Sequence, residues 1–278
     1  MGAVPITDSL FDKFIEHISD NKTLYFTQDQ LLYLVNKRLE HKSKQMAKVT
    51  KFIGGLIAAG LGVVILRVSQ QLFAVYAVVA AIGLVLFLVI AKKPKAQSFV
   101  VPRSQLSGWI NRWNSLNRTV AKMLPPPRQE EEGAPVREEL RDYSFDRLVV
   151  CDRPEIAQML IANNFHFENN CAILSFNGYP QSIFTTVLEM LRRNPDLKVY
   201  ALHDATPRGV SLVYHLQTSP NWFLASQVAI YDLGLLPRQI MKNSQIFLQK
   251  STESAAEAKQ LPAPVKEKLS PAEITWLE

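Results

Sequence analysis

The chain has 278 residues, 47% of them hydrophobic and 20% charged, with a formal net charge of +6. Its two cysteines, Cys151 and Cys171, exclude a disulfide framework and a CxxC-type metal site; each lies beside an apolar run, as expected of a buried reduced thiol in a cytosol-facing domain. The basicity does not by itself indicate nucleic acid, because part of it flanks the apolar stretch Phe52–Ala91.

Residues 1–50 predict two helices. Asp8 or Ser9 opens the first, with Leu10, Phe11, Phe14, Ile15 and Ile18 as its apolar stripe. The second starts on a capping-box pattern, Thr27-Gln28-Asp29-Gln30, and carries Leu31, Leu32, Leu34, Val35 and Leu39 on helical spacing. The apolar segment begins too far in for a cleavable signal peptide. Residues 51–92 predict a two-helix hairpin. Leu72–Ala91 is apolar and uncharged, and about 20 residues at 1.5 Å rise span a hydrocarbon core of roughly 30 Å. Gly54, Gly55, Ala58, Ala59 and Gly62 give the pair a small-residue contact surface. Lys37, Arg38, Lys42, Lys44, Lys48 and Lys51 precede it, Lys92, Lys93, Lys95 and Arg103 follow it, and the turn carries Arg67. The expectation is an integral membrane protein with two spans, both termini cytoplasmic, its basic residues on lipid headgroups.

Residues 93–135 hold a juxtamembrane helix and a linker. Ser104 is placed to cap a helix reaching about Met123, with Leu106, Trp109, Ile110, Trp113, Leu116 and Val120 on one face. Its tryptophans suit either a membrane interface or a core. Pro125-Pro126-Pro127 and Glu130-Glu131-Glu132 then mark an extended linker. Residues 136–249 alternate strand and helix. Strands are expected at Leu148–Cys151, Cys171–Phe176, Val199–Leu202 and Phe223–Ile230, with helical patterns around Ile156–Leu160, Ile183–Leu191 and Val210–Leu216. That alternation predicts an α/β fold with a parallel sheet. Residues 250–278, polar and broken by prolines, predict a disordered tail.

The chemistry gathers at Lys198–Gly209, an apolar strand that breaks into His203-Asp204-Ala205-Thr206-Pro207-Arg208-Gly209. Proline cannot donate to a ladder, so the strand stops there, and open α/β sheets place their sites at such carboxyl ends. His203 is a candidate acid or base. Arg208 and Gly209 at a helix start, with Gly178 in the Asn177-Gly178-Tyr179-Pro180 turn, are candidates for holding an anion or other ligand.

The fragments LVVCD, AILSFNGYP, VYALHDATPRG and AIYDLGLLPRQI, taken in order, resemble the Toprim domain, in the version found in the A subunit of topoisomerase VI and the related meiotic double-strand-break proteins. The resemblance covers roughly Asp146–Ile240. It implies a Rossmann-like parallel sheet and a Mg²⁺ ion held by a glutamate after the first strand and an Asp-x-Asp pair after a later one. Here the glutamate position is Cys151, with Asp152 beside it. The first aspartate is Asp204 and the second is Thr206. Glu155 is a further candidate ligand. Magnesium needs hard oxygen donors, and each carboxylate at 4 Å contributes roughly 4 kcal/mol gross per unit of ionic charge at an effective dielectric near 20. With two of three carboxylates displaced or replaced, Mg²⁺ is expected to be weakly held. The expected function is therefore a membrane-anchored, non-catalytic Toprim-like module, without a cofactor, that binds a protein partner or ligand. The alternative is a Mg²⁺-dependent nuclease or phosphoester enzyme using Asp204 with Asp152, acting on nucleic acid.

Overall fold

The computed structural model describes residues 6–39, 101–116, 119–128, 145–194, 196–224, 226–243, 246 and 251–278. Helix α1 (Asp8–Ile18) starts where Thr7, in extended backbone, accepts the Leu10 N–H at 3.3 Å. Helix α2 (28–39) opens on the expected capping box: the Thr27 N–H donates to Gln30 Oε1 at 2.9 Å, and the Gln30 N–H returns to Thr27 Oγ1 at 3.3 Å. Helix α3 (Arg103–Leu116) ends seven residues short of the predicted Met123. Together they bury Phe11, Phe14, Phe26, Leu31, Val35 and Leu106. Buried Asn36 is satisfied on both sides, donating to Leu32 O and Val101 O and accepting the Val101 N–H at 2.8 Å. Trp109 and Trp113 pack on this cluster, Trp113 lying 5.4 Å from the Phe11 ring. That is core packing rather than an interfacial belt.

The expectation of two membrane spans with both termini cytoplasmic is corrected. Among the described residues, no helix is long and apolar enough to cross a membrane. The longest helix described at both ends, α3, has 14 residues, about 21 Å at 1.5 Å rise against a core of roughly 30 Å. The hairpin expected at Phe52–Ala91 lies outside the described residues, as does most of the linker.

Strands β1 (Arg147–Cys151), β2 (Cys171–Ser175), β3 (Lys198–Leu202) and β4 (Ile230–Asp232) form one sheet in the order β2-β1-β3-β4. All three pairings are parallel, with Cys151 opposite both Ser175 and Leu202. The two faces alternate along each strand. Leu148, Val150, Leu174, Val199 and Ala201 belong to one core. Val149, Cys151, Cys171 and Ile173 belong to the core on the other side. Burial on both faces explains why β1 and β2 read as continuous apolar runs. Both cysteines are free and buried. The fourth strand sits later than its apolar run predicts: Trp222 and Phe223 precede it and fill the core, and the ladder forms at the half-exposed Ile230–Asp232.

Helices α4 (Pro154–Ala162), α5 (Phe165–Glu168) and α6 (Gln181–Arg193) connect the first strands. After β3 come α7 (Pro207–Val210) and α8 (Leu212–Thr218), and α9 (Pro237–Met241) follows β4. The tail expected to be disordered instead folds into α10 (Thr252–Lys259), α11 (Ala263–Lys266) and α12 (Pro271–Leu277). Sparse apolar residues suffice because they converge: Ala258, Leu261, Val265, Leu269 and Leu277 bury together, with Val210 and Tyr214 packed against them. Its prolines sit at helix starts, where the missing N–H costs nothing.

Candidate functional site

In a parallel sheet all strands end on one edge. The chain leaves β1 toward β2 on one side and returns through β3 to the other, so the crevice lies between the ends of β1 and β3. Asp152-Arg153 and His203-Asp204 flank it. The Asp152 N–H donates to Leu202 O at 3.0 Å, and the Asp204 N–H donates to Asp152 Oδ2 at 3.1 Å. Asp152 is 2% exposed. Burial, and next the Asp204 charge, push its carboxyl above the usual range, while the Asp204 N–H bond and then Arg153 and His203 oppose that push.

Arg153 is the residue that sequence reasoning missed here. It stands at the N-cap of α4 in extended backbone (φ −134°, ψ 137°), pinned before Pro154. Its guanidinium forms an ion pair with Asp204 Oδ2, and its Nε lies 4.0 Å from Asp152 Oδ1. The pair with Asp204 is half-exposed, so solvent reduces its net worth to at most about 1 kcal/mol. The sequence signal was its place in Asp152-Arg153-Pro154, between the strand end and a helix start.

His203 is buried, and both ring nitrogens have partners. Nδ1 lies 2.9 Å from Asp204 O and Nε2 lies 2.9 Å from Asp232 Oδ1. A carbonyl only accepts, so Nδ1 is the donor to Asp204 O. Asp232 also accepts the Gly234 N–H at 2.9 Å. Gly234 must be glycine: a Cβ there lies 2.1 Å from His203 Nε2. Sequence reasoning quoted Asp232 within AIYDLG without giving it a role; its place at the end of β4 was the usable signal. His203 thus ties the ends of β3 and β4 together, and its ring has no nitrogen left over for substrate.

The remaining candidates are dispersed. Glu155 is exposed on α4 and lines a groove of about 890 Å³ between α4 and the amino-terminal helices, as does Arg153. Thr206 Oγ1 accepts the Gly209 N–H at 3.0 Å, capping α7. Gly209 is required by crowding, since a Cβ lies 2.0 Å from Asp204 O. Arg208 pairs with Glu257 of α10 at 2.6 Å and lies over Phe176 at 5.1 Å. The Gly178 N–H donates to Ser175 O at 2.8 Å, in a turn closed by a cis Tyr179–Pro180 bond. Of the residues expected to hold an anion, Gly178 and Gly209 thus have their N–H groups bonded within the chain, and Arg208 has one nitrogen on Glu257.

The parallel sheet, the crevice and the turn after β3 define a Toprim-like α/β domain. Residues 148–272 match the family model for the Toprim domain of Spo11 and of the topoisomerase 6 A subunit. This part of the chain is therefore similar to that Toprim domain, and the match runs into the carboxyl-terminal helices that the resemblance had left out. No curated protein and no solved structure matches the chain.

The ion implied by that family does not fit the residues present. Among the described residues no group of three or more His, Cys, Asp or Glu is placed to hold a metal. Cys151, at the glutamate position, is fully buried, and burial pushes its thiol far above the usual range, so it offers no thiolate. Thr206 is a helix cap. Asp204 is paired with a guanidinium.

Proposed function

We propose that this Toprim-like domain is a non-catalytic binding module whose activity does not depend on a divalent ion. The observation that carries this reading is Thr206. At the position of the second aspartate a hydroxyl caps α7 through the Gly209 N–H, so the crevice lacks that carboxylate ligand. A displacement at phosphorus needs charge neutralisation on the phosphate oxygens. In this crevice the nearest cation is already paired with Asp204.

The groove beside α4 supports the binding role. It holds about 890 Å³ and is lined by Tyr25, Gln30, Tyr33, Arg103, Glu155 and Met159 among others. That size and mixture of apolar and polar groups suits a peptide or small ligand. Its walls are held together by a paired contact, the Tyr25 N–H to Asn163 Oδ1 at 2.8 Å and Asn163 Nδ2 to Tyr25 O at 2.9 Å.

The second reading, a metal-dependent phosphoester enzyme on nucleic acid, is favoured by one observation: the Asp204 N–H bond brings Asp152 and Asp204 side by side at the sheet edge. An assay of the full chain on duplex DNA and an activated phosphodiester, with Mg²⁺ or Mn²⁺, separates the two. The expected result is turnover no faster than in the Asp204→Asn variant. Metal-dependent cleavage that Asp204→Asn abolishes contradicts the proposal.

A further inference from the structure

We propose that the Arg153 guanidinium takes the place of the divalent ion, balancing Asp152 and Asp204 from within the chain, and that its removal uncovers a latent cation site. The inference deepens the non-catalytic reading and rests on it. Asp152 is buried at the end of β1, and the Asp204 backbone is bonded to its carboxylate. Two carboxylates held this closely, one of them desolvated, are stabilised as anions by a positive partner. A metal-dependent Toprim domain is expected to obtain it from solution. Here Arg153 reaches both acids, forming an ion pair with Asp204 Oδ2 and placing Nε 4.0 Å from Asp152 Oδ1.

That Nε is buried and has no hydrogen-bond partner among the described residues. Its approach to Asp152 is therefore electrostatic and not part of another network. The side chain is aimed by the backbone rather than by chance. Arg153 is in extended backbone between the last strand residues and Pro154, which fixes the start of α4. Among the described residues, the neighbouring basic side chains are otherwise engaged. His203 faces Asp232 and the Asp204 carbonyl, and Arg208 is held by Glu257.

The test uses the full chain and Mn²⁺ alone as probe, read by melting temperature and by the electron paramagnetic resonance signal of free Mn²⁺. The wild type is expected to show neither a shift nor uptake at millimolar Mn²⁺. Arg153→Gln is expected to rise by about 3 °C and to take up Mn²⁺, and both effects disappear in R153Q/D204N. A folded R153Q chain that ignores Mn²⁺ overturns this inference and leaves the non-catalytic reading standing. A wild-type chain that takes up Mn²⁺ and loses it in Asp204→Asn overturns both. If R153Q fails to fold, Arg153→Lys decides. Its ammonium neutralises one acid but is not a fork, so uptake between that of wild type and a free site is expected, and none overturns the inference.

Discussion

Asp152 and Glu273 are both buried carboxylates, 2% and 3% exposed, and their surroundings push them in opposite directions. Glu273 lies in the first turn of α12. It accepts the Ser270 N–H and hydroxyl, each at 2.8 Å, and the Arg238 N–H at 3.2 Å. The Ser270 N–H bond, ahead of the burial that opposes it, holds its carboxyl below the usual range. Asp152 has one backbone donor, and burial wins. The difference is donor count. A helix start supplies several N–H groups to one carboxylate. The end of a parallel strand supplies few, so charge there must be balanced by a side chain or an ion.

The largest effect expected comes from crowding at the sheet edge. Gly209→Ala puts a Cβ 2.0 Å from Asp204 O, so the turn must move; a loss of about 3 kcal/mol or more in urea unfolding is expected. A loss near zero shows that the turn can relax. Next is the tail. Glu273→Ala removes the reciprocal cap of α12 and the tie to α9, for an expected loss of about 2 kcal/mol. It should show first as faster amide exchange in residues 271–277. Exchange unchanged there means that Leu269 and Leu277 alone hold the tail.

The two acids also differ in pH response. Glu273 has a lowered folded-state value, so its contribution is present above the unfolded value of 4.5 and is lost as pH falls through the folded one. Asp152 has a raised value. Its folded form holds the proton more tightly, so stability falls as pH rises from 3.8 through the raised value. Glu273→Gln should therefore flatten the acid limb of a stability–pH curve. Asp152→Asn should remove the fall on the neutral side. The smallest effect expected is at neutral pH, where Asp152→Asn gains under about 1 kcal/mol by removing a buried charge. A loss instead means that Arg153 and the Asp204 N–H more than offset its burial.

Much of this contrast was visible before folding. The apolar runs at Leu148, Cys171 and Val199 give three of the four strands, because little polar sequence interrupts them. Thr27 and Gln30 mark a helix start through purely local bonds. Asp204 was legible from its place after a strand, and Asp152 through the family resemblance. What escaped depended on distant partners. Arg153 looked like any charged residue at a helix start until β3 brought Asp204 beside it. Asp232 needed the ring of His203, 29 positions earlier. The tail lacked apolar periodicity, and its order comes from packing on Val210 and Tyr214 and from Arg208 and Arg238 meeting Glu257 and Glu273.

Calorimetric titration of the full chain with Mn²⁺ addresses the central claim most directly. With the acids already balanced by Arg153, the account predicts heats indistinguishable from dilution. A saturable one-to-one isotherm that vanishes in Asp204→Asn contradicts it.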